Sequence, residues 1–62
     1  MNNALKQKRE ELNLTQRQVA ERVGIHYQTY QLYENGRKFP SVIRAIMIAK
    51  VLKTTVEELY ES

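Results

Sequence analysis

One side of the segment from residue 27 to residue 34 carries side chains suited to contacting nucleic-acid bases. At about 100° per residue, that side consists of Tyr27, Gln28, Gln31 and Leu32. A glutamine amide holds a donor and an acceptor side by side, so it can pair with N6 and N7 of adenine together. Leu32 can offer apolar contact to a thymine methyl, and Tyr27 can offer its ring edge to a base or its hydroxyl to a phosphate. We expect these four residues to read bases, Gln28 first; the alternative is an ordinary solvated helix face.

The opposite side of the same segment is suited to packing. Thr29, Tyr30 and Tyr33 fall together there. Tyrosines at this spacing are more often core residues than part of a cofactor site, and a buried tyrosine hydroxyl usually finds a partner. We therefore expect Tyr30 and Tyr33 to pack against the rest of the protein, with their hydroxyls hydrogen-bonded at the rim.

The charge balance favours an anionic partner. The 62 residues hold 10 Lys and Arg against 7 Asp and Glu, a formal net charge of +3, which fits attraction to phosphates. Gln16 stands at a predicted helix start, where backbone N–H groups can help to hold a phosphate. His26 could cap a helix, contact a phosphate or sense pH, and a plain cap or an exposed side chain is the simplest interpretation. Any one cation could serve solubility alone, whereas the cluster favours contact. The residues expected at phosphates are Gln16, Arg17, His26, Arg37, Lys38 and Arg44.

Start and stop residues predict an all-α protein of five helices. Thr15 with Gln18, and Thr55 with Glu58, have the spacing of a capping box. Gly24 is placed to end a helix, because glycine adopts the left-handed C-cap conformation at little cost. Ser41 is a good N-cap. The predicted helices span about 2–12, 16–23, 27–34, 42 to about 52, and a short stretch from 56. The second and fifth helices are expected to place their apolar residues inward, namely Val19, Ala20, Val23, Val56 and Leu59.

The fourth predicted helix has two apolar stripes, which imply two burials. One burial is internal, and the other is a candidate contact with a second copy of the chain, to which Tyr60 could add. The alternative is a thicker internal core covered by the last helix and the Phe39 connector. The internal stripe is predicted to be Val42, Ala45, Ile46, Ala49 and Leu52. The dimer interface is predicted to be Ile43, Met47 and Val51.

Several function classes are not expected. The chain has no cysteine and one histidine, so neither a cysteine-ligated zinc site nor a cysteine nucleophile is possible, and no metal site or cofactor is expected. No serine–histidine–acid set is recognisable, so the protein is not expected to be an enzyme. The first residues are polar, with no leader pattern, and no apolar run could span a bilayer. We expect one cytoplasmic domain over residues 1–62 that binds no small molecule.

One stretch reads LTQRQVAERVGI from Leu14 to Ile25, and it is followed by Tyr30 and by ENGR from Glu34 to Arg37. This pattern is similar to the phage-repressor and Cro family of helix-turn-helix proteins. Pro40-Ser41, Ile48-Ala49-Lys50 and Val56-Glu57-Glu58-Leu59 extend the resemblance, which covers roughly residues 5–59. Small and special residues stand at the right offsets, such as Ala20 where two helices cross. Three positions depart from the family pattern: Lys8, Asn13 and His26.

The resemblance implies a compact five-helix bundle of the lambda-repressor-like type. The second helix would cross the DNA backbone and the third would lie in the major groove. It also implies an ion pair between Arg9 and Glu34, and a bidentate arginine–carboxylate link would fix how the third helix sits on the body. The alternative is two unrelated surface charges.

The sequence therefore predicts a sequence-specific regulator, a repressor that binds an inverted-repeat operator in double-stranded DNA as a homodimer. Proteins of this kind serve prophages and other mobile elements, as well as toxin–antitoxin systems. The alternative is a module that binds another protein with the same fold, such as an antitoxin or an antirepressor. Loss of DNA recognition on mutation of Gln28 and Gln31 would separate the two.

Overall fold

Local hydrogen bonds at the caps define where the helices begin. In the computed structural model, which describes residues 3–61, the Thr15 hydroxyl accepts from the Gln18 backbone N–H at 3.0 Å and the Gln18 side chain accepts from the Thr15 N–H at 2.8 Å. The capping box predicted here is confirmed. Ser41 accepts from the Arg44 N–H at 3.2 Å, as an N-cap should. The helices are α1 (Leu5–Glu11), α2 (Gln16–Val23), α3 (Tyr27–Glu34), α4 (Val42–Val51) and α5 (Val56–Tyr60).

The all-α prediction is confirmed, with differences at two helix starts. Asn2 lies outside the described residues, and α1 begins at Leu5. The Asn3 side chain accepts from the Leu5 N–H at 3.0 Å, and so it provides a partner for one of the N–H groups at the start of α1 that have none within the helix. At α5 the Thr55 hydroxyl accepts from the Glu58 N–H at 3.1 Å, which is one half of the predicted capping box. The other half differs from the prediction, because the Glu58 carboxylate lies 3.8 Å from the Lys8 ammonium.

Gly24 adopts the left-handed conformation predicted for it, and Asn13 in the preceding turn adopts it as well. Gly24 ends α2 with φ 84°, and its N–H donates to the Ala20 carbonyl at 2.9 Å. Asn13, between α1 and α2, has φ 56°, a conformation that asparagine tolerates better than most residues. The short α2–α3 connection therefore depends on one glycine.

Replacing Gly24 with alanine is expected to destabilise the protein by about 1–2 kcal/mol, the cost of placing an L residue in the left-handed region. An added Cβ would meet no atom within 4 Å, so the effect is one of backbone conformation and not of a clash. Chemical denaturation should show a lower midpoint with an unchanged slope. Gly24→Asn is the control and should lose less; equal stability of Gly24→Ala and the unsubstituted protein would contradict the explanation.

The core lies where α2 packs against α3 and α4, with α5 closing one end against α4. Leu5 from α1 completes it, and the backbone N–H of Ala4 donates to the Leu59 carbonyl at 2.9 Å. Leu12 and Val56 are partly buried against it, and for Val56 this agrees with the predicted inward position. Its buried residues are Leu5, Val19, Ala20, Val23, Tyr30, Tyr33, Ile48, Ala49, Leu52 and Leu59.

The predicted internal stripe of α4 is partly wrong. Val42 is 77% exposed and Ile46 is 43% exposed. Ile48, which belongs to neither predicted stripe, is 1% exposed. The residues that are buried follow the spacing i, i+3, i+4, i+7 of one helix face. They are Ala45, Ile48, Ala49 and Leu52.

None of the helices within residues 3–61 has the length and apolar character needed to cross a membrane.

Candidate nucleic-acid interface

The two sides of α3 differ in burial as predicted. Tyr30 and Tyr33 are buried, while Gln28 and Leu32 are exposed. Gln31 and Tyr27 are intermediate, because α2 lies beside them. The protein thus presents an uncharged helix side to the outside and holds the opposite side in the core.

This exposed side of α3 forms one wall of an open groove of about 440 Å³. Amides dominate the lining, and Leu32 supplies its apolar part. The groove also includes a cation, Lys6, that was not among the predicted contacts. The lining residues are Lys6, Gln16, Gln28, Gln31, Leu32, Glu34 and Asn35.

The Arg9–Glu34 pair implied by the resemblance is present and bidentate. Arg9 Nε donates to Glu34 Oε2 at 3.0 Å, and Arg9 Nη2 donates to Glu34 Oε1 at 2.8 Å. A third donor of Arg9, Nη1, reaches the Leu14 carbonyl at 2.9 Å. One guanidinium therefore joins α1 to the end of α3 and to the segment before α2.

The same carboxylate is linked to two of the groove's amides, to Gln16 directly and to Gln31 through Gln16. Gln16 Nε2 donates to Glu34 Oε1 at 3.2 Å, and Gln31 Nε2 donates to Gln16 Oε1 at 3.4 Å and to the Tyr27 hydroxyl at 2.9 Å. We call this series, Arg9–Glu34–Gln16–Gln31–Tyr27, the amide relay. Sequence reasoning found all five residues and the Arg9–Glu34 pair. It did not find the bonds from Glu34 to Gln16 and from Gln31 to Gln16 and Tyr27, since these depend on how α2 and α3 pack.

Glu34 stays ionised in this setting. Burial by itself would raise the pKa of its carboxyl, but hydrogen bonds led by the one from Arg9, together with the positive charge of Arg9, outweigh it and lower the pKa. The pKa of Arg9 is raised in turn, mainly by its hydrogen bond to Glu34.

The two core tyrosines differ at their hydroxyls. Tyr33 accepts from Arg44 Nη1 at 3.0 Å, so a partner at the rim is found as predicted. For Tyr30 the prediction is wrong: its hydroxyl is buried without a hydrogen-bond partner of acceptable geometry among the described residues. The neighbouring Glu34 carboxylate already accepts from Arg9 and Gln16. Burial, followed by the negative charge of Glu34, raises the pKa of Tyr30 far above its ordinary value.

Residues 5–59 match the family described as helix-turn-helix. The chain belongs to that family. The resemblance seen in the sequence is thereby confirmed, and α2, the turn at Gly24 and α3 are the elements that correspond to its name.

Similar helix-turn-helix proteins occur in archaea and in a bacterial phage. An uncharacterised HTH-type transcriptional regulator of Methanothermobacter thermautotrophicus is 41% identical over 61 residues, which is 97% of this chain and 88% of the relative. Another of Methanocaldococcus jannaschii is 37% identical over 60 residues, 97% of this chain and 91% of the relative. The transcriptional repressor RstR of the cryptic phage CTXphi of Vibrio cholerae is 34% identical over 55 residues, which cover 89% of this chain and 49% of RstR.

The cations of this helix-turn-helix protein lie in different local settings. The Arg17 guanidinium lies 4.2 Å from the centre of the Tyr27 ring, a distance typical of a cation–π contact. Arg37 and Lys38 are exposed after α3. Arg44, near the start of α4, is exposed and bonded to Tyr33. His26 stands at the N-cap position of α3, as expected, but its side chain makes no capping hydrogen bond.

One residue of structural importance to the interface was missed. Asn3 Nδ2 donates to the carbonyls of Tyr33 and Glu34, each at 3.3 Å. Carbonyls at a helix C-terminus lack partners within the helix, so Asn3 stabilises the end of α3. The sequence gives no signal of this, because the contact joins residues about 30 positions apart.

Proposed function

We propose that this protein is a sequence-specific regulator of transcription, a repressor, that binds double-stranded DNA with α3 in the major groove and α2 across the backbone. The observation that carries the proposal is the uncharged exposed side of α3, set opposite the buried Tyr30 and Tyr33. A helix of this kind fits the major groove, which is about 12 Å wide and displays a distinct donor and acceptor pattern for each base pair. The names of the relatives, transcriptional regulators and a phage repressor, support it.

Base contacts are assigned to α3. Gln28 is exposed and makes no side-chain hydrogen bond within residues 3–61, so its whole amide is available to an adenine edge. Leu32 offers an apolar surface to a thymine methyl. Gln31 and Tyr27 stand beside them with part of their polar groups already bonded.

Phosphate contacts fix the register of the protein on DNA without reading sequence. Gln16 and Arg17 open α2, where free backbone N–H groups also point outward. His26 stands before α3, while Arg37, Lys38 and Arg44 extend the positive surface beyond it. These six residues form the proposed backbone-contacting set.

A homodimer is proposed from α4. Ile43 is 74% exposed and Met47 is 43% exposed, and with Val42, Ile46 and Phe39 they form an apolar surface that we call the α4 face. Apolar surfaces of this kind mark contact sites. A two-fold dimer would bind two half-sites about 34 Å apart, and hence an inverted repeat. Val51, the third residue predicted for the interface, is partly buried against the core and belongs to the edge of this surface.

Gln28→Ala is expected to weaken binding to the preferred DNA by roughly 1–3 kcal/mol and to relax the base preference at one position in each half-site. The measurement is selection of bound DNA from a random pool at a fixed salt concentration, followed by titration. Binding by the unsubstituted protein should fall steeply as salt rises, because counterions are released at phosphate contacts.

Glu57→Ala is the control for this experiment, since Glu57 is exposed on α5 away from α3. It should leave base preference unchanged. A protein that selects no sequence at any salt concentration would overturn the proposed function, as would a Gln28→Ala variant with the original preference.

A further inference from the structure

The amide relay has a fixed direction. Arg9 donates to Glu34, Gln16 donates to Glu34, and Gln31 donates to Gln16. An ionised carboxylate can only accept hydrogen bonds, so the Gln16 atom that faces Glu34 must be its nitrogen. The oxygen of Gln16 is then the atom left to face Gln31.

This constraint passes to Gln31. Because Gln16 presents an acceptor, Gln31 must present its own nitrogen, and the same nitrogen also reaches the Tyr27 hydroxyl at 2.9 Å. A primary amide has two N–H donors, and both are engaged. The carbonyl oxygen of Gln31 makes no hydrogen bond to any group in residues 3–61. Gln31 therefore differs from Gln28, which keeps donors and acceptor free.

We infer that the Glu34 carboxylate, acting through Gln16, fixes Gln31 as a hydrogen-bond acceptor toward DNA, so that on the strand it faces Gln31 selects a base with an exocyclic amine in the major groove, adenine or cytosine. This rests on the proposed function, with α3 as the reading helix. Adenine N6 and cytosine N4 donate in the major groove, whereas guanine and thymine present only acceptors at the corresponding atoms. Gln16 and Tyr27 are positioning residues for this choice, and Gln28 can still recognise adenine through two hydrogen bonds.

The DNA experiment compares four proteins in selections from one random pool at the same salt concentration. Gln31→Ala identifies the position that Gln31 reads, since its preference should flatten there, and Gln28→Ala identifies a different position. At the Gln31 position the unsubstituted protein should accept adenine and cytosine, each at least about fivefold over guanine and thymine. In the double variant Gln16→Met with Tyr27→Phe, the Gln31 amide loses both of its internal hydrogen bonds and can donate to N7 of adenine while accepting from N6. The preference for adenine over cytosine at the Gln31 position should therefore rise at least about fivefold.

Loss of overall affinity in the double variant is expected, because both substituted residues also lie at the proposed interface; the test is the ratio between bases. A preference of the unsubstituted protein for guanine or thymine at the Gln31 position would overturn the inference. So would an unchanged adenine-to-cytosine ratio in the double variant.

A measurement without DNA separates this inference from the proposed function. In proton–nitrogen spectra of the free protein, the side-chain NH₂ signals of Gln31 should be displaced from those of the solvated Gln28. Gln16→Met should shift the signal of one Gln31 NH₂ proton toward the chemical shift of a solvated amide, and Tyr27→Phe should do the same for the other proton. The Gln28 signals should stay unchanged in both variants. Circular dichroism confirms that the variants are folded. Gln31 signals that match Gln28 in the unsubstituted protein would overturn the relay even if DNA is bound, whereas intact relay signals without sequence selection would overturn only the function.

Discussion

Glu34→Ala is expected to lower the free energy of unfolding by about 2–4 kcal/mol, because the Arg9–Glu34 pair is partly buried and its loss should cost more than that of a surface pair and up to that of a buried one. The side chains of Arg9 and Glu34 are 12% and 5% exposed, so the substitution leaves a guanidinium out of water without its counterion. Gln16 loses its acceptor at the same time. For a 62-residue chain, whose total stability is expected to be of the order of 3–9 kcal/mol, this could unfold much of the population. Chemical denaturation followed by circular dichroism measures it.

Glu58→Ala is the matched control. Its carboxylate is exposed and lies 3.8 Å from the Lys8 ammonium, so its removal should cost about 0–1 kcal/mol, as for other surface pairs. Similar losses for the two variants would contradict the role given to Glu34.

The pH dependence of stability offers a second measurement of the same pair. The pKa of Glu34 is lower in the folded protein than in the unfolded chain, so the unfolded state binds the proton more readily. The stabilisation from Glu34 is therefore fully present above the unfolded pKa of about 4.3 and is lost as pH falls through the lower folded pKa. The unsubstituted protein should lose more stability on acidification through this range than Glu34→Ala does. Equal slopes would contradict the assignment.

Met47→Asp is expected to convert the proposed dimer to a folded monomer and to weaken binding to an inverted repeat by at least about a hundredfold, since the second half-site contact would no longer be intramolecular. The carboxylate would be placed on the α4 face, where burying an unpaired charge in the proposed contact is costly. Sedimentation velocity gives the oligomeric state and DNA titration gives the affinity, while circular dichroism verifies the helices.

Met47→Leu is the control, since it keeps an apolar side chain of similar size at the same position, and it should leave the dimer intact. A dimer that persists in Met47→Asp would place the interface elsewhere. A monomeric unsubstituted protein at the concentrations used for DNA binding would remove the dimer from the proposal.

The sequence predicted most of the fold because most helix boundaries are set locally. The capping box at Thr15, the N-cap at Ser41 and the left-handed Gly24 each depend on residues within four positions of one another. Such signals can be read along the chain. The division of α3 into an inner and an outer side was predictable for the same reason, since polar and aromatic residues alternate at a helical period.

The inner side of α4 was mispredicted because the helix is apolar at eight of its ten positions, all but Arg44 and Lys50, so that its periodicity carries little information. Packing decides the matter: α4 contacts both α2 and α5, and the side of α4 that is covered carries Ala45, Ile48 and Ala49. The part of the amide relay beyond the Arg9–Glu34 pair could not be predicted, for a different reason. It requires the relative placement of three segments, which no pattern along the chain encodes.

The attachment of Gln16 to Glu34 has a consequence for how new DNA preferences can be acquired. Glu34 is held in a partly buried pair, and its hydrogen bonds orient Gln16 directly and Gln31 through Gln16. If α3 reads bases as proposed, substitutions at residues 16 and 31 alter these internal hydrogen bonds and recognition together. Gln28 makes no side-chain hydrogen bond within residues 3–61, so under the same proposal it is the residue at which base preference can be changed with the least effect on the fold.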